Sequence, residues 1–278
     1  MAVELGRIGI WSLAYLWPDQ KEAAAELEEL GFGALWLGAL PDADLGLVER
    51  LLDATKTMAI GPSIVNVWTA APAAVATEYD RISTRHPDRF ILGVGSSHKP
   101  IVETATAETY ERPLSKLADY LDQLAVPARD VAVAALGPKA IRLAGERSRG
   151  ALPYLVTPEH TARAREILGD GPLLAPEQHV LLETDPRRAR ETARQALDMY
   201  LKLPNYVRNW RRLGFSEDDV KGSDHLIDAL VAWGDEDAVL ARVDEHFAAG
   251  ADHVALQVVT PDGGLDREAY RRLAAAIG

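Results

Sequence analysis

The 278-residue chain contains no cysteine, which excludes disulfides, thiolate catalysis, iron–sulfur clusters and cysteine-ligated zinc. Positive charge is the minority sign: 30 Lys and Arg stand against 42 Asp and Glu, a formal net charge of −12. That balance argues against a general nucleic-acid or anionic-membrane surface, although a local basic pocket remains compatible with it. Long apolar runs are missing too. The one extended uncharged stretch, Thr57 to Thr77, is interrupted by Pro62, Asn66 and Pro72 and reads as strand, turn and helix rather than a membrane span. The opening residues 1–6 lack the basic patch and apolar core of a secretory signal, so a soluble, cytoplasmic protein is expected. Histidine spacing gives no metal motif: the nearest pair, His246 and His253, is separated by Gly250, and helical i, i+4 pairs are lacking. No Walker sequence occurs. The acidic residues Glu4, Asp42, Asp44, Glu103 and Glu108 fall on candidate mouth or flanking loops without forming the opposed pair a glycosidase needs.

What is present is an ordinary globular composition, 47% hydrophobic and 26% charged. The length suits one α/β barrel, which needs roughly 250 residues, and a core of that size requires no metal or disulfide staple. Short apolar runs alternate with amphipathic ones. The strand candidates are Arg7–Trp11, Ala34–Gly38, Ile60–Val65, Phe90–Val94, Val131–Ala135, Ala151–Val156, His179–Glu183 and His253–Val259. Several are apolar throughout, as strands buried on both faces are. Eight such runs predict a single-domain (β/α)8 TIM barrel over residues 1–278, of class α/β. Helix punctuation agrees: Gly31 follows Lys21–Leu30, Pro72 can open a helix ending near His86, and Thr157-Pro158 and Asp185-Pro186 read as N-cap plus proline. Two insertions stand out, a loop Ser96–Pro113 after strand four and an excursion Lys202–Trp233 between strands seven and eight. The aromatics Tyr206, Trp210, Phe215 and Trp233 there either pack internally, form a homodimer contact or cover the barrel mouth.

A barrel carries its active site at the C-terminal strand ends. Gly137-Pro138-Lys139 follows a strand and opens a helix, so its free N–H groups and missing side chain suit a phosphate; a tight strand-to-helix turn would use Gly-Pro equally well. Gly93-Val94-Gly95-Ser96-Ser97 leaves room for a flat ring whose edge the two hydroxyls could bond, but it lacks dinucleotide-fingerprint spacing. His98, the one histidine immediately after a predicted strand end, is the candidate acid or substrate contact, with an exposed loop histidine as the alternative. Other strand-end positions are Trp11, Gly38, Asn66, Leu136, Thr157 and Gln257.

Several segments carry a resemblance. Arg89-Phe-Ile-Leu-Gly-Val-Gly-Ser-Ser-His98 resembles the strand-four signature of the luciferase-like monooxygenase superfamily, and Gly61-Pro-Ser-Ile-Val-Asn-Val-Trp68 its strand-three region. Ala135-Leu-Gly-Pro-Lys-Ala-Ile-Arg-Leu-Ala144, with Tyr154-Leu-Val-Thr157, is similar to its phosphate loop. Leu203-Pro-Asn-Tyr206, Gly214-Phe215 and Ala232-Trp-Gly-Asp235 look like an actinobacterial branch described as oxidoreductases dependent on the deazaflavin coenzyme F420.

The resemblance implies a flat tricyclic ring in the barrel mouth, bordered by Gly93, Gly95, Ser96 and Ser97. It implies a non-prolyl cis peptide behind the ring at Val65-Asn66 or Ile64-Val65, among the matching positions Ile64, Val65 and Asn66. The cofactor phosphate would rest at Leu136, Gly137, Pro138 and Lys139, helped by Thr157. Lys99, Arg112 and Lys139 could attract an anionic tail. The implied reaction is hydride transfer between the deazaflavin C5 and a small organic substrate. Alternatives are an FMN-dependent monooxygenase and a non-catalytic cofactor-binding barrel. Alcohol and sugar-phosphate dehydrogenases of the superfamily carry a histidine just after strand two, where this chain has Leu37-Gly38-Ala39, so the acid or base is left unassigned.

Overall fold

The computed structural model describes residues 2–17, 19–40 and 43–278, so Asp42 lies outside the described residues. Among the described residues eleven parallel strands run in chain order: β1 Ile8–Leu13, β2 Ala34–Gly38, β3 Ala59–Pro62, β4 Val65–Asn66, β5 Leu92–Gly95, β6 Val131–Val133, β7 Gly150–Ala151, β8 Leu173–Leu174, β9 Glu177–Leu181, β10 Val231–Trp233 and β11 Val254–Val258. They form two arcs, β10-β9-β11-β1-β2-β3 and β4-β5-β6-β7-β8. Backbone bonds stitch the arcs together. At one seam Ile60 N–H donates to Arg89 O at 2.9 Å; at the other Glu177 N–H donates to Pro153 O at 2.9 Å, and Ala255 N–H to Pro176 O at 3.0 Å.

The result is the expected (β/α)8 barrel with two staves broken. Stave three is β3 plus β4, and stave seven is β8 plus β9, bent at Ala175-Pro176, where proline removes a ladder donor. The run Ile60–Val65 is therefore not one strand: β3 pairs with β2, whereas Val65 pairs with Val94 and Asn66 with Gly95 of β5. The non-prolyl cis bond lies at Ser63-Ile64, not at Val65-Asn66 or Ile64-Val65. The ladder explains the correction. Val65 and Asn66 are committed to extended pairing with β5, so the chain changes arc just before them.

Two further strands escaped the sequence reading. Leu173–Leu174 pairs with β7, and Val231–Trp233 lies beside β9. The predicted strand Ala151–Val156 pairs only at its start, as β7, and His179–Glu183 begins two residues earlier than read, at Glu177. The Ser96–Pro113 loop contains the helix Lys99–Ala105, and the late excursion contains helices Pro204–Leu213 and Asp224–Leu230.

Alternation along the strands sorts the core into two layers. Outward residues such as Ile10, Leu35, Leu37, Val94, Val133 and Leu256 pack under the helices. Inward residues are mostly small, Ala34, Ala59, Ala132, Ala175 and Ala255, leaving room for Trp36 and Trp11. The floor of the barrel is polar but paired: His253 donates from Nδ1 to Gly6 O at 2.9 Å and accepts from Trp36 Nε1 at 3.2 Å on Nε2. A second buried histidine, His246, bridges Thr161 Oγ1 at 2.8 Å and Gln178 Oε1 at 3.0 Å. Among the described residues, no helix is long and apolar enough to cross a membrane.

Candidate active site

The mouth of the barrel holds a cavity of about 350 Å³ at the C-terminal ends of β1, β9 and β11. Trp11, Ser12, His179, Tyr200 and Gln257 line it, with the loop 259–266 as its outer wall. Glu177 and His179 alternate on the inward face of β9, and His179 is in register with Gln257 of β11. The imidazole Nδ1 lies 2.6 Å from Glu177 Oε1, with the two side chains 1% and 3% exposed. Glu177 Oε2 accepts from Leu155 N–H at 3.2 Å. Since the carboxylate accepts on both oxygens, the His179 proton sits on Nδ1, and Nε2 is the ring nitrogen left for other partners.

Leu155 is held unusually to make that bond. Its φ of 54° lies in the left-handed region, which costs a branched residue on the order of 1–3 kcal/mol. Two contacts fix it: the N–H on Glu177 and the carbonyl, which accepts from Trp210 Nε1 at 3.2 Å. Trp210 comes from the late excursion, so that insertion braces the acid of the pair.

A chain of phenols lies beside the dyad. Tyr154 donates to Gln257 Oε1 at 2.9 Å, so Tyr200, 3.0 Å away, is the donor to Tyr154. Burial pushes both phenols up, Tyr154 well above its ordinary range, and they remain protonated donors. With Gln257 accepting through Oε1, its amide nitrogen stays available as a donor. The Tyr154 ring is 5.5 Å from that of His179 and 4.8 Å from that of Trp11.

Trp11 explains the missing strand-two histidine. A Cβ at Gly38 would lie 2.1 Å from the Trp11 ring, so the indole covers the end of β2 and leaves no room there for a side chain. The indole also donates to Ser63 Oγ at 3.1 Å, which ties the cavity wall to the step in stave three.

The predicted cofactor residues lie elsewhere around the mouth. Gly137 caps the helix Pro138–Arg147, as expected. The guanidinium of Arg212, from the excursion, lies 3.5 Å from where a Gly137 Cβ would be. Burial and the neighbouring Arg208 both disfavour the Arg212 charge, and among the described residues neither arginine has a carboxylate partner. Asn209, between them on the same helix, is 2% exposed, and its Nδ2 has no hydrogen-bond partner. Leu136 O accepts from His160 Nε2 at 2.9 Å. Lys139, by contrast, lines an outer groove with Leu114, Ala118 and Arg142. Thr157 is 2% exposed and caps the helix Pro158–Leu168, accepting from His160 N–H at 3.4 Å.

At the ring-side positions, glycine answers a packing need. A Cβ at Gly93 would lie 2.1 Å from Pro62 O, and one at Gly95 3.1 Å from Ile64 Cγ1. Val65 is fully buried in the outer layer, pointing away from the mouth. Asn66 Oδ1 accepts from Trp68 N–H at 3.1 Å and so serves its own turn. The Ser96 carbonyl accepts from Trp68 Nε1 at 3.0 Å, and that of Ser97 from the Tyr110 hydroxyl at 3.1 Å. His98 pairs with Asn205 Oδ1 at 3.2 Å, and burial lowers its affinity for a proton. It ties the loop after β5 to the helix Pro204–Leu213. Of the predicted tail contacts, Lys99 pairs with Glu103 at 3.8 Å, and Arg112 caps the helix Pro113–Gln123 in a left-handed conformation, φ 48°.

The sequence reading missed Glu177, His179, Arg208 and Arg212. The signal for the dyad was Glu177-x-His179, two ionisable residues two apart and so on one face of a strand; the strand boundary placed two residues late hid it. The arginines look in sequence like the exposed face of an amphipathic helix.

The sequence model of the luciferase-like monooxygenase family matches residues 4–126. No curated protein matches the chain in sequence. Solved structures are similar along nearly the whole chain. An F420-dependent secondary alcohol dehydrogenase in complex with an F420–acetone adduct superposes with a TM-score of 0.74 at 15% identity, covering 100% of this chain and 98% of that one. The coenzyme F420-dependent tetrahydromethanopterin reductase of Methanopyrus kandleri gives 0.72 at 18% identity, covering 96% of each chain. The FMN-bound oxygenating constituent of 3,6-diketocamphane monooxygenase from Pseudomonas putida gives 0.66 at 15% identity, covering 96% of this chain and 95% of that one.

Proposed function

Starting from a chain with the luciferase-like barrel fold, we propose that it is a coenzyme F420-dependent oxidoreductase acting on a small neutral organic substrate. One observation carries the reading of a phosphate-bearing cofactor. Arg212 stands beside the N-terminus of the helix Pro138–Arg147 with Arg208 as its like-charged neighbour, and among the described residues neither has a carboxylate partner, in a protein whose net charge is −12. Two adjacent cations that repel one another are relieved by an anion, and a helix N-terminus offers N–H groups to the same anion. The residues present therefore suit the phosphate end of the cofactor, with Gly137 leaving the space and Arg212 supplying the charge.

When bound, the deazaflavin would supply a two-electron hydride donor or acceptor. The chain's own part is to fix that group by its phosphate, to hold substrate in the cavity beside Trp11 and Gln257, and to manage a proton. The cavity suits a neutral molecule: its charged lining residues, Asp262 and Asp266, are acidic, and no lysine or arginine lines it among the described residues.

FMN also carries a phosphate, so a flavin monooxygenase is the second reading. The phosphate site suits either cofactor, and the preference for the deazaflavin rests on the branch resemblance of Leu203–Tyr206, Gly214-Phe215 and Ala232–Asp235. Fluorescence titration of the purified protein with both cofactors at matched salt tests this, with coenzyme F420 expected to bind at least tenfold more tightly. Equal or tighter binding of FMN would overturn the preference.

A further inference from the structure

We propose that the Glu177–His179 pair is the proton-handling group of the reaction, with His179 Nε2 as the atom that exchanges a proton with an oxygen of the substrate. This rests on the oxidoreductase reading above. It assigns the acid and base to stave seven, separated by β11 and β1 from the strand-two position that Trp11 covers.

The geometry makes the case in three steps. The Glu177 carboxylate holds Nδ1–H at 2.6 Å, which sets the tautomer and aims Nε2 away from the acid. His179 nevertheless lines the cavity, so the side chain reaches it although the residue is almost wholly buried. His253 and His246 engage both ring nitrogens within the fold, and His160, whose Nδ1 is unpaired, does not line this cavity; His179 combines an uncommitted ring nitrogen with a place in the cavity wall. Among the described residues His179 has a hydrogen-bond partner only on Nδ1.

The groups facing His179 fit a proton carrier. From its own strand comes Glu177. From the loop after β7 comes Tyr154, and from the segment after the helix Pro186–Leu197 comes Tyr200, with its ring centroid 6.5 Å away. Across the cavity Asp262 is taken up by Thr260 Oγ1 at 2.8 Å and Gly264 N–H at 3.1 Å, and Asp266 by Ala269 N–H at 2.9 Å. The imidazolium formed on accepting a proton is thus neutralised by Glu177 alone, and the Tyr200–Tyr154–Gln257 chain orients the Gln257 amide donor in the neighbouring register position.

This arrangement selects a small neutral alcohol or ketone. In the reducing direction the Nε2–H bond of the imidazolium breaks and an O–H bond forms on the substrate oxygen, while the carbonyl carbon accepts hydride from the reduced deazaflavin. Imidazole is left neutral against Glu177. In the oxidising direction the same bonds form and break in reverse, and the proton returns to Nε2.

The test begins on the cofactor-free protein labelled with 15N-histidine. His179 is expected to show an Nδ1–H tautomer, and its Nε2 resonance should shift on addition of cyclohexanone. Glu177→Gln should release that tautomer preference. In enzyme loaded with coenzyme F420, His179→Gln should lower turnover of cyclohexanol about 100-fold or more and remove one ionisation from the pH profile, while coenzyme affinity stays unchanged. An Nε2 resonance indifferent to cyclohexanone between pH 5 and 9, or His179→Gln with full turnover, overturns the proposal. Failure of the wild-type protein to bind either cofactor would instead fail the oxidoreductase reading, leaving the NMR result to judge the dyad by itself.

Discussion

Acidification should loosen this protein well before its carboxylates protonate, and the two fully engaged histidines give the magnitude. Burial pulls His253 down to about 4 and His246 down to about 3, against an ordinary value of 6.5. Between those limits the unfolded chain binds a proton at each site and the folded chain does not, so stability rises with pH across the window. The contribution is complete above pH 6.5 and is lost as pH falls toward the folded values. At pH 5 each site has forfeited about 2 kcal/mol, roughly 4 kcal/mol for the pair. His98 and His160, whose protonation burial also disfavours, act in the same direction. Carboxylates with lowered values, such as Glu28 and Glu49, titrate in the unfolded chain near 4.5 and add little at pH 5. Urea unfolding at pH 7.5 and 5.0 measures the difference. His253→Gln isolates one site, because an amide can still accept from Trp36 Nε1 and donate to Gly6 O. The variant should lose about 2 kcal/mol less than wild type over the same step. Equal stability of the wild-type protein at the two pH values, or an undiminished pH dependence in His253→Gln, would refute the reasoning.

Two further outcomes are expected. Gly93→Ala places a methyl 2.1 Å from Pro62 O at the seam between the arcs; overpacking of that kind costs about 1–3 kcal/mol, and thermal melting should record a drop of several degrees. Arg212→Gln, which removes a cation with no carboxylate partner among the described residues, should leave the melting temperature unchanged and weaken coenzyme F420 binding about tenfold, with a shallower salt dependence in fluorescence titration.

The parts of the barrel legible in sequence were those decided by local pattern. Ala34–Gly38 is apolar on both faces and bounded by turns, and its observed limits are the expected ones. Asp185-Pro186 opens its helix as read, the carboxylate accepting from Arg187 and Arg188 N–H at 3.0 and 2.9 Å. The misreadings arise where pairing partners decide. Nothing local in Ile60–Val65 shows that its two ends join different arcs, and Val231–Trp233 is three residues wedged between helices. The site was harder still. Gly137 announced itself as a helix start, but Arg212 reaches it from 75 positions later in sequence. Glu177 and His179 are chemical partners only because β9 turns both side chains inward.

The indole over Gly38 has a consequence for how such a protein can change. Positions 11 and 38 are mutationally coupled: any side chain introduced at 38 collides with the Trp11 ring, whereas shrinking Trp11 first opens the space. Substitutions that install a proton-transfer residue after strand two are therefore accessible in one order and blocked in the other. A lineage that fixed the large aromatic at position 11 would conserve its acid–base machinery on a different stave, so long as Trp11 stays in place.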